Sequence, residues 1–178
     1  WARINQGVRA LGHATAGNVE REAINGEGGC GCAYPDYVDA AFADAQGAVA
    51  LDGYLVDAHV LLGDTFRRRA EPKKALQAYD KARSLDDESL AAILGYASVL
   101  RDMGLDDKRP RRSLRLAKAI PLYLAALQQA PNDPRIMFEY GRALEIHGDM
   151  TAALELYREA AMLDATDVRP HLRVVAAY

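Results

Sequence analysis

Two cysteines separated by one glycine are the residues of this sequence with the clearest capacity for chemistry. Cys30 and Cys32 lie in a glycine-rich segment over residues 26–31. Paired thiols can bind a soft metal or exchange disulfides. The one-residue spacing differs from that of zinc knuckles and thioredoxin-like sites, and a disulfide within so short a loop is strained. We interpret them as idle thiols or as partners of cysteines in another chain. A thiol or metal site carried on this segment is the alternative.

No other arrangement of residue types points to catalysis. The four histidines are scattered. His59 and His171 hold equivalent places in a repeated pattern, which favours a structural role for both. The sequence contains no Ser-His-Asp order, glycine-rich phosphate loop or paired carboxylates at catalytic spacing. It therefore predicts neither an enzyme nor a bound cofactor.

The composition is typical of a soluble globular protein. The chain has 178 residues, 50% of them hydrophobic, and a net charge of -3. This charge does not favour nucleic acid or a membrane surface, and no uncharged run approaches the roughly 20 apolar residues of a membrane span. Abundant alanine favours helix. Because the chain begins with Trp1, we expect a piece of a longer protein, and the bacterial cytoplasm and periplasm are both compatible with it.

A pattern of apolar and small residues recurs after residue 55. Its three copies contain His59, Leu62, Gly63, Phe66, Ala75, Tyr79 and Ala82; Ile93, Tyr96, Ala97, Leu100, Ala119, Tyr123 and Ala126; and Met137, Tyr140, Gly141, Leu144, Ala153, Tyr157 and Ala160. A fourth copy begins at His171. Successive copies are 34, 44 and 34 residues apart. The ten surplus residues fall between Leu100 and Ala119, which are 19 residues apart where the other copies have 9.

This pattern resembles the tetratricopeptide repeat (TPR) family, whose signature is Trp-x2-Leu-Gly-x2-Tyr, then Ala-x3-Phe, then Pro, on a 34-residue period. Leu62, Gly63 and Ala75 match the signature, His59 stands at the place of its Trp, and Pro131 closes the second copy. The resemblance implies an all-α fold, a TPR-type α-solenoid of antiparallel helix hairpins. We expect three full repeats, a leading cap helix and a truncated fourth repeat.

The repeat also predicts how the chain is divided. We expect a glycine-rich N-terminal arm over residues 1–35, a capping helix over 36–55, and repeats over 56–89, 90–133 with an insertion at 104–113, 134–167 and, in part, 168–178. Pro121 lies inside the second helix of the middle repeat. Either that helix kinks there, or a short helix from about Ser113 ends near it.

The first helix of each repeat contributes one face to the inner side of such a solenoid, and here that face is rich in arginine. The partner contacts that we expect on it are Asp64, Arg67, Ser98, Arg101, Arg135, Phe138, Arg142, Glu145 and Arg169. Guanidinium groups among apolar side chains suit an extended or helical segment with acidic and apolar residues. The alternative is a solvated face whose arginines pair with Asp64 and Glu145. Because TPR grooves usually bind a protein, the resemblance favours binding.

One mode of TPR binding does not fit the inner face. Related chaperone adaptors hold a carboxyl terminus with Lys and Asn, but Val60 and Asp64 occupy the first such positions here, and Asp64 would repel a carboxylate.

The insertion in the middle repeat is basic. It contains Lys108, Arg109, Arg111 and Arg112. Such a cluster can contact phosphate, a nuclear import receptor or an acidic partner, and otherwise it is a polar loop. The lengthened repeat is similar to that in TPR domains of bacterial c-type cytochrome assembly proteins, which present apocytochrome for haem attachment. An assembly chaperone of that kind is the alternative to our leading hypothesis. The leading hypothesis is a protein–protein interaction module, a scaffold or assembly subunit in a larger complex.

Overall fold

The structure is a computed structural model that describes residues 34–108 and 113–177. Within these ranges the chain forms eight α-helices and no strand, which confirms the all-helical fold expected from the repeat. None of the helices in the described ranges has both the length and the apolar character that a membrane span requires. The predicted arm up to residue 33, with Cys30 and Cys32, lies outside the described residues, as do Arg109, Arg111 and Arg112 of the insertion.

The helices follow one another with short connections. They are α1 (Tyr34–Leu51), α2 (Val56–Arg68), α3 (Pro72–Leu85), α4 (Leu90–Leu105), α5 (Leu114–Gln129), α6 (Pro134–His147), α7 (Met150–Leu163) and α8 (Val168–Ala176). The chain divides into two compact units, residues 1–89 and residues 90–178.

Short polar side chains fix where the helices of the second unit begin. Asp133, Asp149 and Asp167 each accept a hydrogen bond from a backbone N–H in the first turn of α6, α7 and α8. Ser113 does the same for α5. These are the donors that a helix start leaves without an intrahelical partner. α6 ends at Gly148, whose φ of 103° lies in the left-handed region that glycine adopts without strain.

In the first unit, α2 packs against both α1 and α3. Ala41 and Ala45 of α1 form a core cluster with Leu61 of α2, and these small side chains allow close approach of the two helices. The Phe42 and Phe66 rings meet edge to face with centroids 5.2 Å apart. α1 is therefore held on α2 by an alanine stripe and one aromatic pair.

In the second unit, α4 packs on α5 and α6 on α7, while α6 also contacts α5 and α8 also contacts α7. Ile93, Ala126 and Ile136 form one core cluster, contributed by α4, α5 and α6. A second cluster is centred on Phe138 and Tyr157. Neighbouring helix pairs thus share apolar surface in series, as expected of a repeat protein.

The ten extra residues of the middle repeat are divided between its helices and their connection. Compared with α2 and α3, α4 is longer by three residues and α5 by two. The remaining five lengthen the connection. Gly104, which we expected in the connection, lies in α4, where a Cβ atom would be 3.1 Å from Oγ of Ser113. The added turn of α4 therefore packs against the start of α5.

α5 runs without interruption through Pro121. The alternative in which a short helix ends near this residue is therefore wrong. Pro121 and Ala117, whose carbonyl loses its usual N–H partner, are both exposed. Since water can reach that carbonyl, the helix tolerates the proline.

A buried tyrosine ring fills the space between the two helices of each hairpin. Tyr79, Tyr123 and Tyr157 are at most 1% exposed. A Cβ atom on Gly63 would lie 2.6 Å from the Tyr79 ring, and one on Gly141 would lie 2.7 Å from the Tyr157 ring. The closeness of the ring, and not the backbone conformation, therefore requires glycine at these two places.

Replacement of Gly63 or Gly141 by alanine is expected to destabilise the fold. The added methyl group must displace a buried ring, and such overpacking costs about 1–3 kcal/mol. The better helix propensity of alanine offsets at most about 1 kcal/mol of this cost. Thermal and urea unfolding followed by circular dichroism measure the difference.

Gly53→Ala is the matched control, because the nearest atom to a Cβ there is the Val49 carbonyl oxygen at 3.8 Å. We expect it to change the free energy of unfolding by less than about 0.5 kcal/mol. Equal effects at Gly53 and Gly63 would contradict the packing argument.

Candidate partner-binding face

Polar side chains on α4, α6 and α8 form the candidate site of the second unit. We call this set the front-helix face and define it by Arg101, Glu139, Arg142, Glu145 and Arg169. In the first unit, α2 carries the corresponding residues Asp64 and Arg67, of which Asp64 is half-buried and Arg67 exposed.

We call the first helix of each hairpin its front helix. Two of the buried tyrosines bind acids of the front helices. The Tyr79 hydroxyl donates to Oδ1 of Asp64 at 2.6 Å, and the Tyr157 hydroxyl donates to Oε2 of Glu145 at 2.7 Å. Burial raises the pKa of both tyrosines above the ordinary value, and the neighbouring carboxylate raises it further. Both hydroxyls therefore remain hydrogen-bond donors at neutral pH.

The middle hairpin replaces the acid by a serine and an arginine. The Tyr123 hydroxyl donates to Oγ of Ser98 at 3.1 Å and accepts an N–H of Arg101 at 3.2 Å. Burial raises the pKa of Tyr123 to about 12. The equivalent tyrosine thus binds an acid in two hairpins and a serine and an arginine in the third.

Arg101 is a buried cation that connects three helices. Its side chain is 3% exposed, and besides Tyr123 of α5 it donates to Glu139 of α6 and, at 2.7 Å, to Asp102 of its own helix. Burial alone lowers the pKa of an arginine, but the Tyr123 oxygen and the two carboxylates outweigh it and raise the pKa. Removal of both carboxylates would leave a buried charge uncompensated.

Arg142 is more loosely held. Its Nη1 atom lies 3.5 Å from Oε2 of Glu139, beyond the usual hydrogen-bond range. The same carboxylate oxygen already accepts an N–H of Arg101. The Arg142 side chain is 30% exposed. A carboxylate from outside can therefore bind Arg142 without displacing a hydrogen bond.

Arg135 and Arg169 pair with the aspartates that cap their own helices. The nitrogen–oxygen distances are 3.4 Å to Asp133 and 2.7 Å to Asp167, and the arginine side chains are 79% and 54% exposed. Exposed pairs of this kind contribute at most about 1 kcal/mol. Arg169 also lies over the Phe138 ring, 5.0 Å from its centroid. A carboxylate on a partner protein can compete for both arginines.

Sequence reasoning missed Glu139 and Arg173. Arg173 donates to Oε1 of Glu145 at 3.0 Å and is 45% exposed, and Glu139 is shared by the two arginines of α4 and α6. The two residues hold the same place in successive copies, 34 residues apart. They lie beside the narrow strip of positions that was predicted to contact a partner. The i,i+3 spacing of Glu139 and Arg142 is the signal that would have indicated the first of them.

Three of the nine expected contacts are not exposed. Ser98, Arg101 and Phe138 are 7%, 2% and 5% exposed. The expectation that they line an open face is wrong, because a tyrosine, a carboxylate and an arginine of neighbouring elements cover them. The arginines of the front-helix face do pair with acids, as the solvated-face alternative requires. Those acids are Asp102, Glu139 and Asp167, and they differ from the Asp64 and Glu145 that it named.

The described part of the insertion is anchored by Asp107. Its carboxylate accepts hydrogen bonds from the Ser113 hydroxyl and the Arg115 guanidinium. The hydrogen bond from Ser113 lowers the pKa of Asp107, and Arg115 adds to this effect. Lys108 is exposed beside this anchor, and its contact with a partner stays a prediction.

The metal alternative concerns cysteines that the structure does not describe. Among residues 34–108 and 113–177, no three His, Cys, Asp or Glu side chains are grouped to hold a metal ion. A thiol site at Cys30 and Cys32 stays a hypothesis from the sequence.

The comparison with known families bears on the residues that build this face. The sequence model of the family described as "Tetratricopeptide repeat" matches residues 111–168. The resemblance inferred from the 34-residue pattern is thereby confirmed. No curated protein sequence matches the chain.

Solved structures show the same fold at low sequence identity. The structure of MamA from residue 41 to its end, from Desulfovibrio magneticus RS-1, is 14% identical over 95% of this chain and 81% of that chain, with a TM-score of 0.65. A crystal structure of MamA is 19% identical over 81% of this chain and 78% of that chain, with a TM-score of 0.64. At these identities the similarity concerns the fold, and it supports the assignment as a TPR-type α-solenoid.

Replacement of Asp64 by asparagine is expected to change how stability depends on pH. Burial raises the pKa of Asp64, although the hydrogen bond from Tyr79 and the two nearby arginines lower it. A raised pKa means that the ionised form opposes folding above that pKa, and the opposition fades as the pH falls toward the ordinary value. Asparagine keeps an acceptor for Tyr79 but cannot ionise. The free energy of unfolding of the variant, relative to that of the parent protein, should therefore be highest at about pH 7 and should fall toward about pH 4.

Urea unfolding of both proteins across that range provides the measurement. A stability difference that does not change with pH would show that Asp64 titrates alike in the folded and unfolded chain.

Proposed function

We propose that this chain is a protein–protein interaction module, a scaffold or assembly subunit within a larger complex, and that the front-helix face binds a segment of a partner protein. The segment is extended or helical and carries acidic and apolar residues. The TPR fold supports the general role, since such folds present side chains of successive helices to another protein. The role requires no catalytic group and no cofactor.

The loose pairing of Arg142 is the observation that carries the acidic preference. Its guanidinium stands 3.5 Å from a carboxylate that Arg101 already occupies. Arg169, on the next front helix along the chain, is more than half exposed. A carboxylate can bind Arg142 without displacing a hydrogen bond and can compete with Asp167 for the exposed Arg169, which favours a partner with acidic side chains.

An apolar side chain on α8 supports the other half of the proposal. Leu172 is 65% exposed, and it holds the repeat position that Phe138 holds in α6. α8 contains no acidic residue, and two arginines, Arg169 and Arg173, flank Leu172 along the helix. A partner segment can therefore pack an apolar side chain on Leu172 while a neighbouring acidic side chain binds one of the two arginines.

The neighbourhood of Asp64 supports an internal role for this acid. Its carboxylate accepts the Tyr79 hydroxyl, so it is committed to the hairpin and adds negative charge to α2. A partner held by its terminal carboxylate would be repelled there. This argues against a partner whose carboxyl terminus is held at α2.

Neutralisation of two arginines tests the proposal. Fluorescently labelled peptides that combine glutamate or aspartate with leucine are titrated against the parent chain and against Arg142→Gln/Arg169→Gln. Loss of two charged hydrogen bonds should raise the dissociation constant about tenfold or more, and the remaining affinity should depend less on salt concentration.

Lys73→Gln/Lys81→Gln is the matched control. It removes the same charge from exposed positions on α3 and should leave affinity nearly unchanged. If no acidic peptide binds, or if both double variants weaken binding equally, the proposal is wrong.

A further inference from the structure

Glu139 is shared by two arginines that have different surroundings. Arg101, on α4, is buried and donates to Oε2 of Glu139. Arg142, on the same helix as Glu139, stands 3.5 Å from the same oxygen and is partly exposed. With Asp102, these residues form a cluster of two positive and two negative charges. Arg101 engages both acids of this cluster, so Arg142 is left with a partner that is already occupied.

We propose that Arg101 is a positioning residue that keeps Arg142 available to an acidic partner by holding Glu139. Glu139 precedes Arg142 by three residues on α6, a spacing at which opposite charges pair readily on a helix. Without Arg101, the carboxylate is free to turn to Arg142 and neutralise it. Where it concerns the partner, this inference rests on the proposed function. The arrangement of the three side chains does not depend on it.

Arg101 is fixed well enough to serve this role. Besides Glu139, its guanidinium donates to Asp102 at 2.7 Å and to the Tyr123 hydroxyl at 3.2 Å. The Tyr123 ring is fully buried and its hydroxyl donates to Ser98. A chain of hydrogen bonds therefore runs from inside the α4–α5 hairpin to Glu139. With a side chain 3% exposed, Arg101 acts through Glu139 and does not itself offer a surface to a partner.

The other hairpins show that this arrangement is particular to the middle one. Tyr79 and Tyr157 each donate directly to an acid of their own hairpin, Asp64 and Glu145. The middle hairpin has no such acid, because Ser98 takes the hydroxyl of Tyr123. Arg101 also donates to this hydroxyl and pairs with an acid of α6, the first helix of the next hairpin. This difference gives α4 a role in setting the charge of α6.

Three variants of the full chain test the proposal against the labelled acidic peptide that binds best. Arg101→Met frees Glu139, so the dissociation constant should rise about two- to fivefold, the value of one exposed ion pair. Glu139→Gln leaves Arg142 without a competitor, so binding should match or exceed that of the parent chain. Arg101→Met/Glu139→Gln should recover affinity close to that of the parent chain.

If the role of Arg101 is purely structural, the three variants should rank differently in affinity. Each loss of a buried charge would then weaken binding together with stability, and the double variant would bind no better than Arg101→Met. That result, or weaker binding by Glu139→Gln, would overturn the proposal. Glu139→Gln provides a decisive result even if Arg101→Met does not fold.

A second measurement needs no partner. Hydrogen exchange of the Arg142 side-chain Nη–H groups, followed by NMR, should slow in Arg101→Met as Glu139 pairs with Arg142, and should return to the parent rate in the double variant. An unchanged rate in folded Arg101→Met refutes the positioning role. Failure of every peptide to bind, with the expected exchange rates, would refute the proposed function while supporting the role of Arg101.

Discussion

The contact of a tyrosine ring with a glycine sets the distance between the two helices of a hairpin. In two of the three hairpins the ring lies so close to the facing helix that no Cβ atom fits opposite it. The phenol is long enough to reach beyond the core, and its hydroxyl arrives among the polar side chains of the front helix. Core packing and the polar face are therefore coupled through one side chain. A buried hydroxyl needs a partner, and the front helix has to supply it.

This coupling explains why the front-helix face has the charges that it has. Glu145 accepts the hydroxyl of Tyr157, so this acid serves the core as well as the surface. In the first unit, Asp64 does the same for Tyr79. Arg101 is committed in the same way. Arg169 of this face, like Arg135 beside it, pairs with the aspartate that caps its own helix. The face thus contains fixed charges that belong to the hairpins and exposed charges that a partner can use.

The fold was largely predictable from the sequence, and the face was predictable only in part. The 34-residue spacing specifies which helix pairs with which, because each copy places glycine or alanine opposite a tyrosine. The predicted position of each residue on its helix, however, does not show that a tyrosine hydroxyl reaches Ser98 or that Glu139 of α6 pairs with Arg101 of α4. The first contact depends on the distance between the two helices of a hairpin and the second on the distance between hairpins, and only the packed structure provides both. Pro121 shows the same limit, since its effect on α5 depends on solvent access to one carbonyl.

The lengthening of the middle repeat has a consequence for how this protein can diverge. The three residues added to α4 amount to nearly one helical turn and lie beyond Arg101, toward the connection. The helix before them keeps its rotation, so Ser98 and Arg101 still face their partners. Asp107 and Ser113 then tie the connection to the start of α5. The length and composition of the sequence between these two anchors can therefore change without turning any side chain of the front-helix face.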